Sequence, residues 1–167
     1  MLVLVAYGSK LGGTRGLAEM VADGLRAEGV QVDVQPAREV EDIEPYDAVV
    51  VGGALYALRW HRDARRFVKR HTAALRRRPT YLFSSGPLDD TAATKEIPPV
   101  RGVRRLMDRV GARGHVTFGG RLPADATGFP AGAMAKKNAG DWRDPAHVAG
   151  WAHQIAGELR REIPHAA

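Results

Sequence analysis

Short apolar runs that alternate with amphipathic segments are the feature that most restricts the fold of this chain. Residues 2–7 and 48–53 are almost wholly apolar, which is typical of strands that are buried on both faces of a parallel sheet. Between such runs, apolar residues recur at helical spacing, as in residues 14–28. Strands that alternate with helices predict a doubly wound α/β fold, with helices on both faces of the sheet and right-handed crossovers.

The same patterns locate the remaining elements within a single predicted domain, residues 1–167. The predicted strands are residues 2–7, 30–34, 47–53, 80–84 and 116–120. The predicted helices are residues 14–28, 63–75, 103–110 and a last helix that begins at Asp144-Pro145. Residues 121–142 are rich in Gly, Ala and Pro, and we interpret them as a loop at the ligand-binding edge of the sheet. Phe129, Met134, Lys136 and Lys137 are the side chains with which that loop could meet a substrate or partner.

Composition narrows the chemistry. The chain has no cysteine, which excludes disulfides, thiol catalysis and cysteine-ligated metals, so any redox chemistry must come from a cofactor. The histidines have no metal-binding spacing, and no metal is expected. No apolar run approaches the length of a membrane span and no basic leader precedes the first strand, so we expect a cytoplasmic protein without a transmembrane segment.

The charge is concentrated in one segment. The formal net charge is +6, and residues 59–78 contain nine basic side chains against one acid, Asp63. One interpretation is the solvated face of a helix. The other is a docking surface for an acidic partner, an anionic substrate or nucleic acid, although no motif specific to nucleic acid is present.

A phosphate site is predicted where the first strand ends. Ser9 and Thr14 supply hydroxyl groups, while Gly12 and Gly13 let backbone N–H groups approach an anion at the start of a helix. The segment lacks the spacing of a mononucleotide P-loop and of the dinucleotide glycine motif. The alternative is an ordinary β–α turn. After the third strand, small residues are followed by Tyr56 and Trp60, which could form a slot for a flat ring or simply pack a surface loop.

Together with the helix that contains Phe67-Val68-Lys69-Arg70-His71, these segments resemble the flavodoxin superfamily. They are most similar to the flavodoxin-like, quinone-dependent protoporphyrinogen dehydrogenases, and the resemblance covers nearly the whole chain. It implies a five-stranded parallel sheet of order 2-1-3-4-5 and FMN as the cofactor. The FMN-binding residues implied by the resemblance are Ser9, Lys10, Leu11, Gly12, Gly13 and Thr14, then Ala54, Leu55, Tyr56, Ala57 and Trp60, and finally Ser84, Ser85, Gly86, Pro87 and Leu88.

The resemblance leaves two functions open. One is an FMN-dependent oxidoreductase that acts on a small anionic substrate, with a quinone as acceptor. The other is a non-enzymatic flavodoxin-type electron carrier that docks acidic partners through its basic face. No residue is identified as catalytic, and His61 is a candidate base only because it lies beside the flavin loop. A phosphoacceptor receiver domain is excluded, since no acidic residue follows the first strand or ends the third.

Overall fold

The computed structural model describes residues 1–10, 12–126, 132, 135 and 139–164. Its strands are β1 (Leu2–Gly8), β2 (Gln31–Pro36), β3 (Ala48–Tyr56), β4 (Arg59–Trp60), β5 (Thr80–Ser85), β6 (Gly114–Phe118), β7 (Arg121–Leu122) and β8 (Gly140–Asp141). Its helices are α1 (Gly13–Ala27), α2 (Arg62–Arg70), α3 (Thr72–Arg76), α4 (Thr91–Thr94), α5 (Arg101–Val110) and α6 (Pro145–Glu162), with a short 3-10 helix at Ala37–Glu39. No helix in this part of the chain is long and apolar enough to span a bilayer.

The main sheet is parallel, with the strand order β2-β1-β3-β5-β6. This is the predicted 2-1-3-4-5 order once the short strand β4 is set aside, so the predicted fold class is confirmed. Strand β4 pairs antiparallel with the end of β3, while β7 and β8 form a separate antiparallel ribbon. The order reverses between β1 and β3, and a crevice is expected at the carboxyl ends of these strands.

Each face of the sheet is covered by its own helices. On one face α1 and α6 pack over alternate strand residues such as Val3, Val5 and Phe83. On the other face α2, α3 and α5 cover Leu4, Val49 and the residues that alternate with the first set. Residues that succeed one another along a strand point to opposite faces, so strands covered on both sides must be apolar throughout. This explains why the central strands are recognisable in the sequence.

The predicted helix 63–75 is wrong in one respect, because it is divided into α2 and α3 at His71. The Thr72 hydroxyl donates hydrogen bonds to the carbonyls of Val68 (2.9 Å) and Lys69 (3.0 Å). Backbone N–H groups would use these acceptors in a continuous helix, and a threonine that competes for them interrupts it. The break shortens α2 but leaves its first turn beside β3.

The interpretation of residues 121–142 as a loop is also wrong at its two ends. Arg121 pairs with Asp141, and Leu122 pairs with Gly140, to form the β7–β8 ribbon. The Trp142 amide donates to the carbonyl of Gly120 at 2.9 Å, which ties the ribbon to the end of β6. The four side chains singled out above, Phe129, Met134, Lys136 and Lys137, lie outside the described residues.

Candidate functional site

A cleft of about 490 Å³ opens at the carboxyl ends of β1, β3 and β5. Its volume lies within the roughly 300–1,000 Å³ typical of small-molecule sites, and its position is where an open α/β sheet binds its ligand. Most residues predicted for the site line this cleft. They are Ser9, Lys10, Gly13, Thr14, Ala54, Leu55, Tyr56, Trp60, Ser85, Gly86 and Leu88.

Four predicted residues do not line the cleft. Ser84 is fully buried, and its hydroxyl lies 2.9 Å from Nε2 of His115. Gly12 and Ala57 shape turns beside the cleft, where both have a positive φ. The carbonyl of Pro87 accepts a hydrogen bond from the amide of Gly120. Leu11 lies outside the described residues.

The first loop is arranged as an anion site. Gly12 has φ 80°, a left-handed conformation that glycine adopts without steric cost, and α1 begins directly after it. The Ser9 hydroxyl accepts a hydrogen bond from the Gly12 amide at 3.1 Å, which leaves its own proton available to a ligand. The side chain of Thr14 lies in the first turn of α1 and is only 1% exposed. Hydroxyl groups and the positive end of the helix therefore converge on one corner of the cleft.

The β3–β4 hairpin forms a second wall. Its turn is made by Ala57 (φ 47°) and Leu58 (φ 62°), two L residues in the left-handed region, and the Leu58 side chain is 77% exposed. Trp60 folds back over Gly53, where an added Cβ would lie 2.5 Å from the indole. Burial raises the pKa of the Tyr56 phenol, and the nearby backbone of Lys10 opposes that shift. Trp60 is therefore packed into the core, and Tyr56 is the aromatic side chain that the hairpin exposes beside the first loop.

His61 joins the hairpin to α2 and lines the cleft. Its Nδ1 accepts a hydrogen bond from the amide of Asp63 at 3.1 Å, so the imidazole ring is the N-cap of α2. Burial lowers the pKa of His61, and the positive charges of Arg62, Arg38 and Arg65 lower it further, whereas Asp63 opposes them. Because Nδ1 holds the acceptor lone pair, the proton of the neutral ring is on Nε2. His61 can donate to a ligand in the cleft but is not its base.

The capping role of His61 predicts a difference between two substitutions. His61→Ala should lower the free energy of unfolding by about 1 kcal/mol, since it removes the N-cap acceptor of α2. His61→Asn should recover most of that loss, because asparagine is among the best N-cap residues. The measurement is urea unfolding at about pH 8, where histidine is neutral. An asparagine variant as unstable as the alanine variant would show that His61 stabilises by ring packing against Gly8, not by capping.

The basic segment 59–78 divides into three parts. Arg59, Arg62 and Arg65 line the cleft, together with Lys10 and Arg121 from outside the segment. A second group, Arg66, Lys69 and Arg70, is exposed on α2. The third group is structural: Arg76 donates to the carbonyl of Arg109 (3.0 Å), while Arg77 and Arg78 pair with Glu44 (2.5 and 3.0 Å). Solvation of a helix face therefore accounts for only part of this segment.

Several residues that line the cleft have a buried hydrogen-bond donor without a protein acceptor. Four buried side-chain atoms of the described residues have no hydrogen-bond partner, and three belong to residues that line the cleft: Thr14 Oγ1, Trp60 Nε1 and Arg65 Nε. All three can donate. An unsatisfied buried donor costs about 1–3 kcal/mol, so such groups are rare in folded proteins. Trp60 Nε1 lies against Gly53 in the core, so Thr14 Oγ1 and Arg65 Nε are the two donors that a ligand with acceptor atoms could satisfy.

A third wall, which follows β5, is held by backbone contacts. The Gly86 amide donates to the carbonyl of Phe118 (3.0 Å), and an added Cβ on Gly120 would lie 2.9 Å from the carbonyl oxygen of Gly86. These contacts bring Arg121 and Leu122 into the cleft, although neither was among the residues predicted to bind FMN. Leu88 and Leu122 supply the large apolar side chains of this wall, and no aromatic residue of this wall lines the cleft.

Charge differs sharply between the two faces of the sheet. Helices α2, α3 and α5 carry ten basic side chains and two acidic ones, Asp63 and Asp108. Helices α1 and α6, on the other face, carry four of each sign. The positive face is continuous with the cleft, because α2 begins at its margin and α5 packs against both α2 and β4.

Comparison with known proteins agrees with this architecture. A flavodoxin from the domain Archaea superposes with a TM-score of 0.64 at 16% identity, covering 96% of this chain and 99% of that one. The rubredoxin oxygen:oxidoreductase of Desulfovibrio gigas gives a TM-score of 0.65 at 15% identity, covering 99% of this chain and 37% of that one. At such identities the likeness concerns the fold alone.

Two sequence comparisons are more specific. Protoporphyrinogen IX dehydrogenase [quinone] of Escherichia coli (strain K12) is 31% identical over 86 residues, which are 50% of this chain and 48% of that protein. The match thus spans about half the length of the curated relative. A family model, described as the flavodoxin domain, matches residues 4–134. Because that model spans far more than half of the sequence, the chain belongs to the flavodoxin domain family.

Proposed function

We propose that this chain binds FMN and oxidises an anionic substrate, in the manner of a protoporphyrinogen dehydrogenase, with a quinone as electron acceptor. The observation that carries the proposal is the lining of the cleft, which combines five basic side chains with two residues, Thr14 and Arg65, that each have an unsatisfied buried donor. Acceptor-rich, negatively charged ligands complement such a lining. The half-length likeness to the Escherichia coli dehydrogenase supports the choice of reaction.

The residues of the cleft fit FMN at both of its ends. Ser9, the Gly12-Gly13 turn and the unpartnered Thr14 hydroxyl would hold the phosphate at the N-terminus of α1. Tyr56 would flank the ring system, Leu55 and Leu88 supply apolar contacts, and Trp60 supports the hairpin from the core. Bound FMN would supply the redox centre that a cysteine-free chain needs from a cofactor.

The remaining polar side chains would position the substrate. Arg59 and Arg62 stand at the mouth of the cleft, where guanidinium groups can hold carboxylates by paired hydrogen bonds. His61 would donate from Nε2, since its Nδ1 is used by the α2 cap. Orientation by several fixed donors favours reaction by holding the reactants in one geometry.

Turnover of protoporphyrinogen tests the enzymatic proposal. Protein reconstituted with FMN should oxidise protoporphyrinogen under anaerobic conditions, with a soluble menaquinone analogue as acceptor and no other protein present. The rate should exceed that of free FMN at equal concentration. Full FMN loading without any turnover of this substrate would refute the proposed reaction and leave the FMN site intact.

A second function is favoured by the charge difference between the two faces of the sheet. An electron carrier would use the positive α2–α3–α5 face to dock an acidic redox protein. In that case the reduced protein should transfer electrons to an acidic acceptor protein at a rate that falls steeply with added salt. Weak salt dependence, together with efficient turnover by the quinone, would count against the carrier.

A further inference from the structure

The positive side chains of the cleft come from several walls. Lys10 follows strand β1, and Arg59 is in strand β4. Arg62 and Arg65 belong to helix α2, while Arg121 is in strand β7. Among the described residues that line the cleft, none is acidic. A ligand in this space is therefore exposed to positive charge from more than one direction.

Nearby acids only partly offset this charge. Asp63 lies in the first turn of α2, with its carboxylate 3.9 Å from His61. Asp141 pairs with Arg143 at 2.7 Å and also lies opposite Arg121 in the β7–β8 ribbon. Within the described part of the chain, none of the five cleft cations forms an ion pair with a carboxylate. The N-terminus of α2 adds its own positive end at the same margin.

Such a cleft discriminates between the charge states of a bound flavin. The oxidised ring is neutral, and it acquires one negative charge when it takes up two electrons and one proton. The phosphate carries the same charge in both states, so its attraction cancels in the comparison. Positive charge in a partly enclosed site favours the more negative form, because water screens the interaction less there than in bulk.

We propose that Arg59, Arg62 and Arg65 make the bound flavin a stronger two-electron acceptor than free FMN. This inference rests on the proposed FMN site and identifies the chemical role of its arginines. A stronger acceptor suits a protein that withdraws electrons from a substrate, and among the described residues no carboxylate forms an ion pair with Arg65. Each dehydrogenation would remove two electrons and two protons from the substrate, of which the flavin would take both electrons and one proton and the solvent the other proton.

Affinities for the two redox states test the inference. The dissociation constant is measured for oxidised FMN and, anaerobically, for FMN reduced by dithionite. The reduced form should bind at least about tenfold more tightly, which for a two-electron couple corresponds to a potential raised by about 30 mV. The Arg62→Gln/Arg65→Gln variant should lose most of this preference, while the matched variant Arg66→Gln/Lys69→Gln, altered on the exposed side of the same helix, should keep it.

The possible outcomes distinguish a failure of this inference from a failure of the proposed FMN site. Failure of the wild-type protein to bind oxidised FMN would overturn the proposed cofactor site. Tight binding of oxidised FMN with equal or weaker binding of the reduced form would overturn the inference alone. An equal loss of preference in both double variants would also overturn it, since general surface charge would then be responsible. Urea unfolding of both variants establishes that they are folded.

Discussion

Removing the two hydroxyl groups of the first loop, in the variant Ser9→Ala/Thr14→Val, should weaken FMN binding by at least about a hundredfold. Hydrogen bonds to a charged group contribute about 1.5–3 kcal/mol each, and about 1.4 kcal/mol changes an affinity tenfold. Riboflavin lacks the phosphate, so its affinity should change little. Binding is measured by quenching of flavin fluorescence for both ligands.

Valine is chosen at position 14 because it keeps the branched shape of threonine in a site that is 1% exposed. In the ligand-free protein, Thr14→Val should be neutral or slightly stabilising because an unsatisfied buried hydroxyl is removed, whereas Ser9→Ala removes the acceptor of the Gly12 amide and should cost up to about 1 kcal/mol. Thr14→Ser retains a hydroxyl and should preserve most of the FMN affinity. Parallel losses of FMN and riboflavin affinity would mean that this loop does not hold the phosphate.

Acid should destabilise the protein through His115, whose hydroxyl partner Ser84 is buried in the sheet. Burial, with a smaller contribution from Arg104, lowers the pKa of His115 to about 4. The unfolded chain binds this proton below about pH 6.5, whereas the folded chain binds it only near pH 4. The stabilisation is therefore complete above about pH 6.5 and decreases as the pH falls toward 4. We expect a loss of about 2 kcal/mol from this group by about pH 4.5.

The substitution His115→Gln isolates this contribution. Glutamine can still bond to Ser84 but does not titrate, so the variant should lose about 2 kcal/mol less than the wild type between about pH 7.5 and pH 4.5. Urea unfolding at the two pH values gives the difference, in which all other titrating groups cancel. Parallel pH profiles for wild type and variant would place the pKa of His115 near its ordinary value.

The central strands could be predicted because burial on both faces leaves a continuous apolar signal. The short strand β4 could not. Its turn uses Ala57 and Leu58 in left-handed conformations, without the asparagine or glycine that usually signals such a turn. Strands β7 and β8 have two residues each and are far apart in the sequence, so their pairing depends on tertiary contacts. The local periodicity of the sequence does not show which distant segments pair.

The sequence predicts the parts of the cleft that are formed by contiguous residues, but it misses residues that reach the cleft from distant elements. The segment 9–14 is a compact motif, whereas Arg121 reaches the cleft from a distant element. Ser84 and Ser85 were assigned together, yet adjacent strand residues face opposite ways, and only Ser85 lines the cleft. Arg62 and Arg65 were attributed to a basic segment as a whole. No local spacing separates them, because Arg66 and Lys69 also lie at same-face intervals from them on α2.

The unequal charge of the two sheet faces gives the molecule a permanent electric dipole across the sheet. Near a negatively charged body this dipole produces a torque, which turns the α2–α3–α5 face forward before any surfaces touch. The effect acts over roughly the 8 Å Debye length of physiological salt. The protein therefore meets such a body in a preferred orientation. The mouth of the cleft, at the start of α2, then faces the negatively charged body.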